Sequence, residues 1–316
     1  MVVSPYHLTT REPPAMAAVL LASQMITLLP APVGGRDAAE VEAASSPAYM
    51  QFMRTWRWSE PLWRAGVICA TEDGDDPGGD VAEAWRIIQE DPACAGARAL
   101  MRRDLYDSES AYLRALSIDV LRAGPDPGVS APVALGLDRF AARHGLVVMR
   151  PDPASVVQKA EAQLADGPGL TVAVPVLLEA EGETLLRARQ RLAGPLERLR
   201  EALLAALAAQ GEGGGDEDAR VELRAAAGDY QRAFEEARAG LAASVPDDEP
   251  RMVAGLVSLT LGSLPADAAL RATAAATRRL GGRRGPGRSG AVDLALRDPL
   301  AGARFASVMV RVIARG

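Results

Sequence analysis

A chain of 316 residues with 48% hydrophobic content and a net charge of −6 is long enough to bury a sizeable core, and its length favours two domains over one. Aromatic residues are only 4%, so Ala and Leu must do most of the packing, which favours helices because these side chains lose little freedom there. Two cysteines, Cys69 and Cys94, without a CxxC pair or a neighbouring histidine, exclude a disulfide scaffold and suit a soluble protein of a reducing cytoplasm.

Lys159 is the only lysine among 35 basic residues, which together with the abundance of Ala, Gly and Pro is the mark of GC-rich coding. Arginine clusters therefore say less about phosphate recognition than they would elsewhere. Charge is unevenly distributed: residues 1–150 carry 14 basic and 19 acidic side chains, residues 151–250 carry 10 and 19, and residues 251–316 carry 11 and 3. The C-terminal segment is thus basic and attached to an acidic body.

In chain order, Thr10 caps a helix whose first turn holds Pro13 and Pro14 and which continues from Ala15 to Ala22. Met25 to Leu29 is an extended candidate. The apolar run from Ala15 to Val33 does not fit a cleaved signal, because Glu12 precedes it and Ser23, Gln24, Pro30 and Pro32 interrupt it. Residues 34–46 form a loop or frayed helix. A helix then runs from Pro47 through Tyr49, Phe52 and Trp56, and Pro61 stops it from continuing. Ser59 is expected to cap a second short helix. An acidic turn follows at Thr71 to Asp80, then helical stretches at Val81–Asp91, Ala93–Asp104 and Ser108–Ala123, ended by GPDPG at Gly124 to Gly128.

Beyond this breaker Pro132 to His144 is helical, Leu146 to Met149 is extended, Pro153 to Leu164 is helical and Leu170 to Leu178 is a strand in which Pro175 points to a sheet edge or bulge. No glycine-rich turn follows either strand, so a dinucleotide site is not expected. Residues 182–243 carry the strongest pattern. Leu185, Leu192, Leu196, Leu199, Leu203 and Ala206 occupy heptad a and d positions, with Arg189 the one misfit and a kink expected at Gly194-Pro195. The second arm repeats it with Leu223, Ala227, Tyr230, Phe234, Ala237 and Leu241, and GEGGGD at Gly211 to Asp216 closes an antiparallel hairpin roughly 40 Å long. Met252 to Leu264 is extended, Ala266 to Leu280 helical, and Val308 to Ile313 a strand.

The expectation is a mostly α protein with a minor β component, of α+β or irregular α/β type. It has a helical N-terminal domain over residues 1–124, and a second domain over 125–316 that holds short strands, the long antiparallel helical hairpin and the basic segment 251–316.

No catalytic, metal or nucleotide motif is present, no cofactor is implied, and the sequence assigns no catalytic residue. The acidic turn lacks the glycine and glutamate spacing of an EF-hand loop. Three of the four tryptophans fall in TWRWSEPLW, and Trp56, Arg57 and Trp58 are candidate binding residues there. His7 and Arg11 form a polar group beside a helix start that could take an anion. Arg139, Arg143 and His144 end a helix, where a cationic cluster also suits the helix dipole. Arg278, Arg279, Arg283, Arg284 and Arg288 are anion-binding candidates on a Gly/Pro loop. No aromatic residue lies between Phe234 and Phe305 to stack on bases, so a nucleic-acid partner is the weaker alternative to a solvated loop.

The leading function is a non-enzymatic scaffold or protein-binding module that meets a partner, or a second copy, through residues 182–243. The alternative is a ligand-binding protein or enzyme with a pocket between the two halves. A membrane span is not expected.

Overall fold

The computed structural model describes residues 1–9, 11, 13–27, 32, 47–69, 77–98, 109–121, 126–152, 171–178, 180–211, 217–239, 253–261 and 304–312. The expected elements at 34–46, 71–76, 153–164 and 266–280, the Thr10 cap, the hairpin turn 212–216, Leu241, the domain boundary at 124/125 and all five arginines from Arg278 to Arg288 lie outside the described residues.

The chain is mostly α with a minor β component. Its helices are α1 (Pro5–Thr9), α2 (Pro13–Leu21), α3 (Pro47–Trp56), α4 (Glu60–Arg64), α5 (Pro77–Glu90), α6 (Ala95–Arg98), α7 (Glu109–Val120), α8 (Pro127–Arg143), α9 (Gly182–Arg191), α10 (Ala193–Gly211) and α11 (Glu217–Ala239). Seven strands make one sheet: β1 (Val2–Val3), β2 (Met25–Ile26), β3 (Ile68–Cys69), β4 (Val147–Asp152), β5 (Thr171–Leu178), β6 (Val253–Leu261) and β7 (Arg304–Val312), in the order β3-β2-β1-β4-β6-β7-β5. The first four are mutually parallel; β6 is antiparallel to β4, β7 parallel to β6, and β5 antiparallel to β7. Strands from before residue 70 and after residue 146 thus share hydrogen bonds, with Val2 opposite Val148 and Val3 opposite Met149.

Side chains alternate across a strand, so the two faces separate cleanly. Val3, Val147 and Met149 point into one core, and Val2 and Val148 into another. The second face is covered by α8, which packs on α5 through a close backbone approach. A Cβ on Gly136 would stand 2.6 Å from the Val81 backbone, so only glycine fits. The first face holds α2, whose residues from Pro14 to Leu21 are all buried. A helix that is apolar all round belongs in an interior, and α2 lies across β4, β6, β7 and β5 with α9 and α10 packed on it.

Helices α10 and α11 form the antiparallel pair, with Arg198 in the N-terminal third of α10 bonded at 3.1 Å to Asp229 near the middle of α11. Leu185, Leu192, Leu196, Leu199, Leu203 and Ala206 are all buried, as are Leu223, Ala227, Tyr230 and Phe234, and all face the body of the protein. The heptad seam is therefore the inner face of a helical layer closing over α2 and the sheet. Leu192 interrupts the helix next to Gly194-Pro195 and becomes the C-cap of α9. Strand β5 is at the sheet edge, as Pro175 required, and the Tyr230 hydroxyl donates to the Pro175 carbonyl at 3.0 Å.

Some local expectations need correcting. Helix α8 starts at Pro127, five residues before the expected Pro132, because Asp126 caps it by accepting the Gly128 N–H at 2.8 Å and Pro127 takes the first helical position. Ser59 stands at the N-cap position of α4, as expected, but its side chain makes no capping bond: it ends a 3-10 turn (Arg57–Ser59) and its hydroxyl donates to the Trp56 carbonyl at 2.8 Å. Asp80 belongs to α5 and is buried, not part of a solvated turn. The first half also contributes β1 and β3, two-residue strands too short for any periodicity.

Candidate functional site

A helix ends with four carbonyls that have no partner within it, and inside a protein water cannot supply one. For α2 two arginines from the helical layer do so. Arg189 donates through Nη1 to the carbonyls of Val19 at 2.5 Å, Leu20 at 3.2 Å and Ala22 at 2.6 Å, and through Nη2 to Ser23 at 3.1 Å. Arg200 donates through Nε to Leu21 at 2.7 Å and through Nη2 to Leu20 at 2.9 Å. Each carbonyl from Val19 to Ser23 receives an arginine N–H. Two cations also oppose the negative C-terminal end of the helix dipole. Burial, reinforced by the adjacent Arg200, pushes the Arg189 guanidinium down to about 10, so it stays protonated at neutral pH. Burial lowers Arg200 as well.

Beside this cap lies a small cleft of about 90 Å³, open to solvent. Leu21, Ala22 and Ser23 wall it from the end of α2, Val147 and Leu259 from the sheet, and Arg200, Leu203, Leu204 and Leu207 from α10. Among the described residues Arg200 is the one ionic side chain in its walls, and Met1 adds the N-terminal ammonium, which donates to the Gln24 carbonyl at 2.9 Å. It lies at the end of β1 and β4 where those strands begin, between elements of the first 23 residues and the helical pair.

The sequence-derived candidates fall elsewhere. Trp56 and Trp58 are buried in the core around α2, edge to face at 5.4 Å. Arg57, between them, is exposed. Arg11 has a left-handed backbone (φ 51°), with its guanidinium 5.3 Å from the Trp58 ring centroid and 2.6 Å from Glu181. Next to Glu181, a Cβ on Gly182 would meet the Trp58 carbonyl at 2.4 Å, so glycine is required where α9 abuts this corner. The Trp58 indole N–H is buried without a hydrogen-bond partner. His7 lies within α1. The helix start beside it and Arg11 opens with Pro13 and Pro14, which have no N–H to offer an anion.

On the opposite face of the sheet, His144 is the C-cap of α8 and its ring stacks on Phe140 at 4.5 Å. Arg143 pairs with the buried Asp80 at 2.5 Å and Arg139 approaches Glu83 at 3.9 Å, so both tie α8 to α5. The sheet separates this group from the tryptophans, and neither group lines the cleft. Among the described residues no cluster of His, Cys, Asp and Glu could hold a metal ion.

The residues missed by sequence reasoning are Arg189 and Arg200. A signal existed: they stand eleven positions apart, about three helical turns, beside the Leu185–Leu192–Leu196 seam. Their acceptors are backbone carbonyls some 170 residues earlier, which no side-chain pattern records. Comparisons with protein-family models, with curated proteins and with solved structures find no match.

Proposed function

We propose that the protein is a non-enzymatic binding module that takes a protein partner on the outer face of the α10–α11 pair. The observation supporting this is the placement of Leu204 and Val221, large hydrophobics that are 56% and 57% exposed and both stand on this pair. The heptad seam faces inward, so a partner meets the solvent side. The pairing that sets Arg198 against Asp229 brings Leu204 level with Leu223, so Leu204 and Val221 lie within about 3 Å of each other along the helix axis.

Sedimentation of the purified chain over the micromolar range, with Leu204→Asp and Val221→Asp beside it, tests the reading. Self-association, or stoichiometric co-elution of a partner, that both substitutions abolish supports it. A strict monomer with no co-eluting partner refutes it.

The cleft between the first 23 residues and the helical pair favours a second reading, a ligand-binding protein with its pocket between the two halves. Nucleic-acid association through Arg278, Arg279, Arg283, Arg284 and Arg288 is the remaining proposal; it requires steeply salt-dependent binding and fails if none occurs at low salt. Among the described residues no helix is long and apolar enough to cross a membrane, and a cytoplasmic setting is proposed from the cysteine usage alone.

A further inference from the structure

We propose that the cleft at the end of α2 is a binding site for a small amphiphilic carboxylate, its apolar body against Leu203, Leu204, Leu207 and Leu259 and its anionic group on the guanidinium of Arg200. This site shares Leu204 with the proposed protein-binding face, and the head-group preference read at Arg200 belongs to the cleft alone.

Three observations converge on that chemistry. First, the lining is apolar around a small, solvent-open cleft of about 90 Å³, room for a short alkyl chain and not for a bulky ligand.

Second, Arg200, the one ionic side chain among the described residues of the wall, has unused capacity. Nε and Nη2 of Arg200 are engaged by the Leu21 and Leu20 carbonyls, whereas Nη1 makes no hydrogen bond and comes only within 3.7 Å of Glu197, whose side chain is 68% exposed. A guanidinium held rigid by two carbonyls, with its third nitrogen open, is pre-organised for a carboxylate oxygen.

Third, positive charge is in excess. Arg189 and Arg200 bring two full charges to a helix end worth about half a negative charge. Among the described residues Arg189 donates only to carbonyls, and Glu197 is the one carboxylate paired with Arg200. Burial lowers the pKa of both arginines, countered at Arg200 in part by Glu197, and both stay charged at neutral pH. An anion on an apolar body would satisfy the charge and fill the Leu-lined walls together. A bare anion would leave the apolar walls wet, and a neutral alkyl chain would leave Arg200 unanswered.

The test uses the full chain and octanoate as probe, followed by calorimetry and by the methyl resonances of Leu203, Leu204 and Leu207. Octanol and octylammonium control for the head group, and acetate for the alkyl chain. Saturable octanoate binding that shifts those methyls, at least about tenfold tighter than octanol or acetate, is expected, since a charge-assisted hydrogen bond is worth roughly that. Arg200→Gln should remove the preference for octanoate over octanol. Because Arg200 also caps α2, Leu204→Trp, at an exposed position on the lip, serves as the second variant and should block octanoate while leaving the fold intact. Equal binding of octanol overturns the role of Arg200, equal binding of acetate reduces the site to a simple anion site, and the absence of saturable binding overturns the proposal.

Discussion

Replacing Arg189 with methionine keeps an unbranched apolar stem and removes the donors that close the buried end of α2. Of the four carbonyls Arg189 serves, Leu20 keeps Arg200 and Ser23 can turn to water, but Val19 and Ala22 lose donors at 2.5 and 2.6 Å. A buried acceptor left without a partner costs about 1–3 kcal/mol, so two cost roughly 2–6. Removing a half-buried cation returns part of its desolvation penalty. The net expectation is a loss of about 2–4 kcal/mol. Urea unfolding followed by tryptophan fluorescence measures it in the relevant place, because Trp56 and Trp58 belong to the core that surrounds α2. The control is Arg187→Met, an exposed position on the same helix that should change stability by no more than about 0.5 kcal/mol. If Arg189→Met costs less than about 1 kcal/mol, or no more than Arg187→Met, the argument that α2 depends on this cap is wrong.

Other positions give equally direct expectations. Gly182→Ala and Gly136→Ala each force a Cβ into backbone, at 2.4 Å from Trp58 and 2.6 Å from Val81, and should destabilise by about 1–3 kcal/mol. Gly228→Ala in α11 meets nothing within 4 Å and should stabilise by up to about 1 kcal/mol in the same urea assay. Asp119 is 2% exposed and accepts the Tyr6 hydroxyl and the Asp126 N–H, both at 2.6 Å; Asp119→Ala strands both donors and should cost about 2–5 kcal/mol by thermal or urea unfolding. Burial raises the Tyr230 phenol well above its ordinary value, only partly countered by Arg200. An acid raised on folding contributes stability that is complete below its unfolded value, about pH 10, and is lost as pH rises beyond it. Tyr230→Phe should therefore flatten the alkaline decline of stability and cost about 1 kcal/mol at neutral pH from the bond to Pro175.

Heptad spacing reports which residues are buried, not against what. The leucines from Leu185 to Leu203 were legible as a seam, and the Gly194-Pro195 break and the edge position of Pro175 followed from local stereochemistry. What the seam covers, a wholly apolar helix from the first 21 residues, depends on contacts across the length of the chain. Arg189 appears in sequence as a flaw in the pattern because its partners are carbonyls, which every residue carries and no residue type marks. Strands β1 and β3 were missed for a related reason: two residues have no period, and their pairing with β4 and β2 alone makes them strands. Trp58, one of the binding candidates in TWRWSEPLW, is buried. Gly182, Arg11 and Trp56 enclose it, and the corner is a packing joint between α9 and the rest of the core.

The central claim is that the heptad seam belongs to the protein's own core, which leaves only the outer face of the helical pair for a partner. Hydrogen exchange of the isolated chain, resolved by peptide, tests it most directly. The account predicts that amides of α2, α10 and α11 are protected together and open only with the sheet strands β4 and β5. Rapid exchange in α10 and α11 while α2 and the sheet remain protected would contradict it, because the seam would then be free to pair with another chain.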